Sequence, residues 1–205
     1  MAYHGYLPII SKYAANVRKE KGSVKILEIG LLSGVSLFSI VSNMNILGID
    51  NYEYTGVDIK LQEEITIFNY YTLKHENCKI NLIEEDSLKF LKNCKESFDI
   101  ILIDWDHNYP TVKKECEYLP QLSHKNTLFV FDDYYGKWST NDLYYSELND
   151  WKNIDNFSKL EKDNQKKGVR PAVDEFIKNN NLKSFTLMKG EPICLIHQDN
   201  ELIVV

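Results

Sequence analysis

The chain has 205 residues, 43% of them hydrophobic and 26% charged, which suits one globular domain over residues 1–205 and leaves little room for two. Its 24 Lys and Arg against 30 Asp and Glu give a net charge of -6, which argues against a general nucleic-acid surface and against a polybasic membrane face. The apolar stretches are strand-sized, and the start MAYHGYLPII lacks the basic region and long apolar core of a secretion signal, so a cytoplasmic protein is expected.

In chain order, Leu7, Ile10, Ala14 and Val17 recur at helical spacing between Pro8 and Gly22, a start and a stop, so residues 1–22 read as a flanking helix. Val24–Ile29 is a buried strand running through Gly30–Gly34 into a helix from Val35 to about Met44. Glu53–Asp58 is a second strand, followed by a helical stretch over Gln62–Lys74. Cys78–Ile83 is a third, leading through Glu84-Glu85-Asp86-Ser87 to a short helix over Leu88–Lys95. Phe98–Asp104 is the strongest strand, unbroken apolar residues ending in a carboxylate, and Pro110–Leu122 returns as a helix. Thr127–Phe131 is a fifth strand, closed by Asp132-Asp133.

Five strands alternating with helices predict a parallel sheet covered on both faces, whose ligands sit beyond the carboxyl ends of the strands. Asp58, Asp104, Asp132 and Asp133 each close a strand at that edge, while the strand interiors carry almost no charge. Residues 136–167 break the pattern with Asn, Tyr and Asp and read as an insertion over the site. Val169–Asn179 is helical again, and Ser184–Met188 with Ile193–Ile196 reads as a hairpin through Lys189-Gly190-Glu191-Pro192. Cys78, Cys94, Cys116 and Cys194 are widely spaced, without a CxxC pair, and read as reduced thiols.

Glu28-Ile29-Gly30-Leu31-Leu32-Ser33-Gly34-Val35-Ser36 places Gly-x-x-x-Gly between a strand and a helix. Gly30 allows a tight turn, Gly34 a close approach to a ligand, and the helix start offers N–H groups to an anionic group. Asp58, ending the next strand, is placed to accept hydrogen bonds from ribose hydroxyls.

The order Glu-x-Gly-x-x-x-Gly-x-Ser, Thr-Gly-Val-Asp, Asp-Ser, Phe-Asp-Ile-Ile-Leu-Ile-Asp-Trp-Asp-His-x-Tyr and Phe-Asp-Asp-Tyr resembles class I S-adenosylmethionine-dependent methyltransferases. Among them it is most similar to the small-molecule and sugar O-methyltransferase branch that includes macrocin-type and novobiocin-pathway enzymes. The likeness spans Val24 to Tyr134 and resumes over Gly168–Phe176. It implies an α/β Rossmann-like fold: a central, mostly parallel seven-stranded sheet with an antiparallel last strand and helices on both faces. It places the methionine part of S-adenosyl-L-methionine along Glu28, Gly30, Gly34 and Ser36, the ribose on Asp58, the adenine near Asp86 and Ser87, and Asp104 at the same site. It further implies a divalent cation, usually Mg2+, on Asp104, Asp132 and Asp133, with Asp106 as candidate general base; His107, beside it in the loop, could by its chemistry also take the proton, but is better suited to orienting a neighbour or contacting substrate. Relatives often pair through their flanking helices, so a homodimer is an open expectation.

Elementary chemistry points the same way. Neighbouring strands lie about 4.8 Å apart, and like charges at about 5 Å repel by ~3 kcal/mol at an effective dielectric near 20. Three carboxylates at adjacent strand ends therefore call for a cation or raised pKa values, and an all-oxygen set suits magnesium, calcium or manganese. Trp105, Tyr109, Tyr134, Tyr135 and Trp138 offer flat walls, and Lys162, Lys166, Lys167 and Arg170 read as a solvated basic face. The expected partner is a small hydroxylated acceptor, sugar or glycoside ahead of a catechol-like ring. A catalytically silent cofactor-binding protein and a nicotinamide-dependent oxidoreductase are the alternatives.

Overall fold

The computed structural model describes residues 6–63, 65, 77–185 and 193–198, with the side chain of Leu7 excepted. The elements are α1 (Leu7–Lys21), β1 (Val24–Ile29), α2 (Val35–Ile46), β2 (Tyr52–Asp58), β3 (Cys78–Glu84), α3 (Ser87–Asn93), β4 (Ile100–Ile103), α4 (Tyr109–Tyr118), β5 (Leu128–Phe131), α5 (Val169–Asn179), β6 (Lys183–Phe185) and β7 (Cys194–His197). A 3-10 turn over Leu119–Leu122 extends α4, as the expected helix to Leu122 required, and a second spans Tyr145–Glu147. The expected helix over 62–74 and the turn over 189–192 fall almost wholly outside the described residues.

The seven strands form one sheet in the order β3-β2-β1-β4-β5-β7-β6. Pairings from β3 through β5 are parallel and β7 runs antiparallel between β5 and β6, so the mostly parallel sheet with a reversed last strand is as expected. β4 and β5 are buried throughout, because helices cover both faces and a parallel strand with no wet side reads as continuous apolar sequence.

Alternation along each strand sorts the core into two layers. Ile26, Ile100, Leu102 and Val130 face α1 and α2, meeting Ile10, Ala14, Leu37, Ile40 and Met44. Leu27, Ile101, Ile103 and Phe129 face α3, α4 and α5, meeting Leu91, Val112, Val173 and Phe176. Burying each such side chain contributes roughly 1.5–3 kcal/mol. α1 opens on Pro8 and stops at Gly22, whose φ of +83° lets its N–H reach the Arg18 carbonyl at 2.9 Å.

Register aligns the functional edge. Ile29 pairs with Val57 and with Ile103, and Ile103 pairs with Phe131. The next residue along each strand is therefore Asp58, Gly30, Asp104 or Asp132, a row with glycine between two acids. A Cβ on Gly30 would lie 1.9 Å from the Asp104 carbonyl oxygen, and its φ is +88°, so the row closes only around glycine.

Candidate active site

A cavity of about 450 Å3 opens over this row, within the size range of small-molecule sites. One side is the β1–α2 loop, with Gly30, Leu31, Leu32, Ser33, Val35 and Ser36. The other carries Asp104, His107, Asp132 and Asp133, with Trp138 and Tyr145 from the insertion.

The loop keeps a glycine-like course without a central glycine. Leu32 takes φ +46°, with its side chain about half exposed, a conformation costing roughly 1–2 kcal/mol for an L residue. Asp58 offsets that cost. Its Oδ2 accepts from the Leu31 and Leu32 N–H groups at 2.8 and 2.9 Å, and its Oδ1 from the Lys60 N–H at 3.0 Å. Burial pushes its pKa up while those donors hold it down. The expected ribose acceptor thus clamps the loop in this conformation. Glu28 lies beneath, fully buried, accepting from the Tyr54 hydroxyl at 2.6 Å, and burial raises its pKa to about 8. Glu28 and Gly34 support the loop without lining the cavity.

Asp86 caps α3 by accepting from the Lys89 N–H at 3.1 Å, and it takes both the N–H and the hydroxyl of Ser158 at 2.9 and 2.6 Å. The expected adenine neighbour is therefore engaged by the insertion. Ser87 is buried beside Glu115 of α4.

The acids do converge. Burial raises the pKa of Asp104, and the neighbouring Asp132, Glu28 and Asp133 raise it further. Burial and Asp133 raise that of Asp132. Asp132 Oδ1 is buried without a hydrogen-bond partner. The His107 Nε2 stands 3.7 Å from Asp104 Oδ1 and 3.9 Å from Asp133 Oδ2, and burial lowers its pKa toward the neutral ring. An orphaned carboxylate oxygen among oxygen and imidazole donors fits a divalent cation. Asp133 itself sits at φ +54°, a left-handed conformation in which strain is often stored at functional sites.

Asp106 goes elsewhere. Its Oδ2 accepts from the Asn108 amide at 2.5 Å and the Thr111 hydroxyl at 3.2 Å, and its Oδ1 from the Tyr145 N–H at 2.8 Å. It lines a neighbouring cavity of about 340 Å3 with Tyr144, Phe157, Ser158 and Lys162. Burial raises its pKa to about 6. The Tyr145–Glu147 turn separates the two cavities.

Of the expected aromatic walls, Trp138 lines the main cavity. Trp105 stacks between Tyr145 and Phe157 at centroid distances of 5.7 and 5.9 Å, and the Tyr109 hydroxyl donates to Glu175 at 2.9 Å. Tyr134 is turned to Asp174, while Tyr135 is nearly half exposed. Lys162 and Lys166 pair with Glu147 and Glu175 at the surface. Tyr145 carried no sequence signal of its own role, and Glu115 only a faint one. No described helix is long and apolar enough to cross a membrane.

The sequence profile of a methyltransferase domain family matches residues 27–134, from β1 to just past Asp133. A relative from Acanthamoeba polyphaga mimivirus, the uncharacterized protein R132, is 29% identical over 124 residues, 58% of this chain and 56% of that protein. The matched part is thus about half the length of that relative. Among solved structures, the TDP-rhamnose 3'-O-methyltransferase CalS11, an enzyme in calicheamicin biosynthesis, superposes with a TM-score of 0.59 at 13% identity, over 95% of this chain and 78% of that one. The O-methyltransferase NovP gives 0.59 at 11%, over 95% and 79%. At such identities the likeness is one of fold. The family match sets the nicotinamide alternative aside, and with the glycine loop and sheet order above it shows that the chain belongs to the methyltransferase domain family of class I, S-adenosylmethionine-dependent enzymes.

Proposed function

We propose that the chain is an O-methyltransferase acting on a hydroxylated small molecule, a sugar or glycoside ahead of a catechol-like ring, with a divalent cation, Mg2+ in the resembled branch, held among Asp104, Asp132 and Asp133. The observation carrying this reading is that the glycine loop and the acidic cluster face each other across one cavity. Donor and acceptor would then meet between them. The sugar enzyme CalS11 and the O-methyltransferase NovP, which share the fold, support the class of acceptor. So does the small space left over: one insertion of about thirty residues frames the site, which favours a small molecule over a polymer.

S-Adenosylmethionine, when bound, supplies a methyl group already activated on sulfur, and the cation supplies positive charge that lowers the cost of ionising a hydroxyl. The chain's task is to align an acceptor oxygen and to remove its proton. The Leu31 and Leu32 N–H groups being taken by Asp58, the loop turns the open N–H groups of the first turn of α2, at Val35 and Ser36, toward the donor. Trp138 and Tyr145 wall the acceptor space and keep water out of it. Asp106 receives the proton once the Tyr145 turn has moved off its Oδ1; with the turn still in place its pKa of about 6 leaves it ionised at neutral pH. A homodimer and a cytoplasmic setting belong to the same reading.

Turnover of hydroxylated sugars with S-adenosylmethionine, with and without EDTA, tests it. Chelation, Asp104→Ala or Asp132→Ala should each lower turnover by about a hundredfold or more. Full activity under chelation in both variants would refute the cation's role.

A further inference from the structure

The geometry of the cluster departs from three carboxylates around one ion. Among the described residues, the side chains that each bring one donor atom to within 4.8 Å of the others are Asp104, His107 and Asp132. A triangle with edges no longer than that has a point within about 2.8 Å of all three corners, so side-chain rotations of under ~1 Å bring each atom to the roughly 2.1 Å of a metal bond. Asp133 stands apart from that triangle. Its Oδ2 lies 3.9 Å from the His107 Nε2, but Asp133 brings no atom within that mutual reach of all three.

Two independent features show that the triangle awaits something. Asp132 is nine-tenths buried and its Oδ1 has no hydrogen-bond partner. His107 is buried to a similar degree, yet its Nε2 lies 3.7 and 3.9 Å from the facing carboxylate oxygens. Those are not hydrogen bonds; an imidazolium bridging two carboxylates would close to about 2.8 Å. An Asp132 oxygen and the His107 ring nitrogen thus border one cavity with no hydrogen bond occupying them.

Resting on the reading that this cavity holds a divalent cation, we infer that the third protein ligand is the His107 imidazole rather than Asp133, and that the set therefore selects a transition cation such as Mn2+ over Mg2+. Two carboxylates and a neutral ring match a divalent charge, whereas three carboxylates exceed it. Magnesium takes oxygen and sheds water reluctantly, while an imidazole nitrogen favours later, softer cations. Three protein ligands leave open positions that two neighbouring hydroxyl oxygens of an acceptor can fill. Asp133 remains beside the set, where it can accept from an acceptor hydroxyl. This geometry also gives His107 a role other than proton acceptor, which leaves Asp106 as the base.

The test adds Mn2+ to the full chain and reads pulsed electron paramagnetic resonance. One Mn2+ per chain with nitrogen modulation from an imidazole is expected. His107→Gln should abolish that modulation and weaken Mn2+ about tenfold or more while moving Mg2+ affinity by less than about threefold. Asp133→Asn should keep the modulation. Circular dichroism establishes that each variant is folded, and the wild-type spectrum decides without any variant. Mn2+ bound with no nitrogen modulation, or binding lost in Asp133→Asn and intact in His107→Gln, overturns the assignment of His107 and leaves the cation reading standing. Failure of the wild type to bind either Mn2+ or Mg2+ overturns both.

Discussion

Glu115→Gln should make the protein more stable, and increasingly so as pH rises. Glu115 lies on α4 with no exposed surface, its carboxyl beside Ser87. Burial raises its pKa from 4.5 to about 8, with the charges of Asp106 and Asp86 adding to the rise and Ser87 offsetting part of it. The folded chain therefore holds a proton between those values that the unfolded chain has released. Stability is full below pH 4.5, falls as pH climbs, and is lowest above pH 8. At ~1.4 kcal/mol per pH unit the whole loss is about 5 kcal/mol, of which about 4 kcal/mol falls between pH 5 and pH 9. Glutamine has nearly the same volume and no charge to bury. At pH 5 the variant should match the wild type to within ~1 kcal/mol, and at pH 9 exceed it by several. Urea denaturation at both pH values measures this, and taking the difference between variant and wild type cancels Glu28, which is also raised to about 8. A difference that does not change with pH would refute the reasoning, because Glu115 would then titrate as an ordinary carboxylate.

At saturating substrate, turnover should rise with pH through a midpoint near pH 6, the value to which burial raises Asp106, and level off about one pH unit higher, since a base must be ionised to act. Asp106→Asn should flatten that limb and cut turnover by about a hundredfold or more; a variant keeping both rate and profile removes Asp106 from the chemistry. Gly30→Ala should cost about 4 kcal/mol or more in urea denaturation, because the added methyl meets the Asp104 carbonyl at 1.9 Å on a backbone at φ +88°. A loss under ~1 kcal/mol would show that β1 and β4 separate more easily than their register implies.

The scaffold was legible because a parallel strand covered on both faces leaves little choice of residue. Ile-Ile-Leu-Ile before Asp104 and Leu-Phe-Val-Phe before Asp132 announce both the strand and its end. Their alignment follows from the register, so the convergence of Asp104 and Asp132 was readable from spacing alone. The fate of Asp58 and Asp86 was not. Whether a carboxylate at a strand end faces a ligand or its own chain depends on loop conformation, here the left-handed turn at Leu32 and the return of Ser158. Glu115 carried a fainter signal. It falls four residues after Thr111 and three after Val112, on the buried stripe of α4, but an acid in a helix with Lys113, Lys114 and Glu117 reads as surface.

Asp106 shows where sequence proximity and spatial proximity part. It is two residues from Asp104, yet β4 ends at Ile103, and in the loop that follows Asp104 and His107 line one cavity while Asp106 lines the other. The partition between them is the Tyr145–Glu147 turn, held by the Tyr145 N–H on Asp106 and by the stacking of Tyr145 on Trp105. Small-molecule sites run from about 300 Å3 upward for one ligand, and methyl transfer needs two. The main cavity, at about 450 Å3, holds one comfortably, whereas the two cavities joined have room for both. Moving that turn both joins them and frees the carboxylate that would take the acceptor's proton. In this reading the acid is kept from water by the same contact that keeps it from the acceptor.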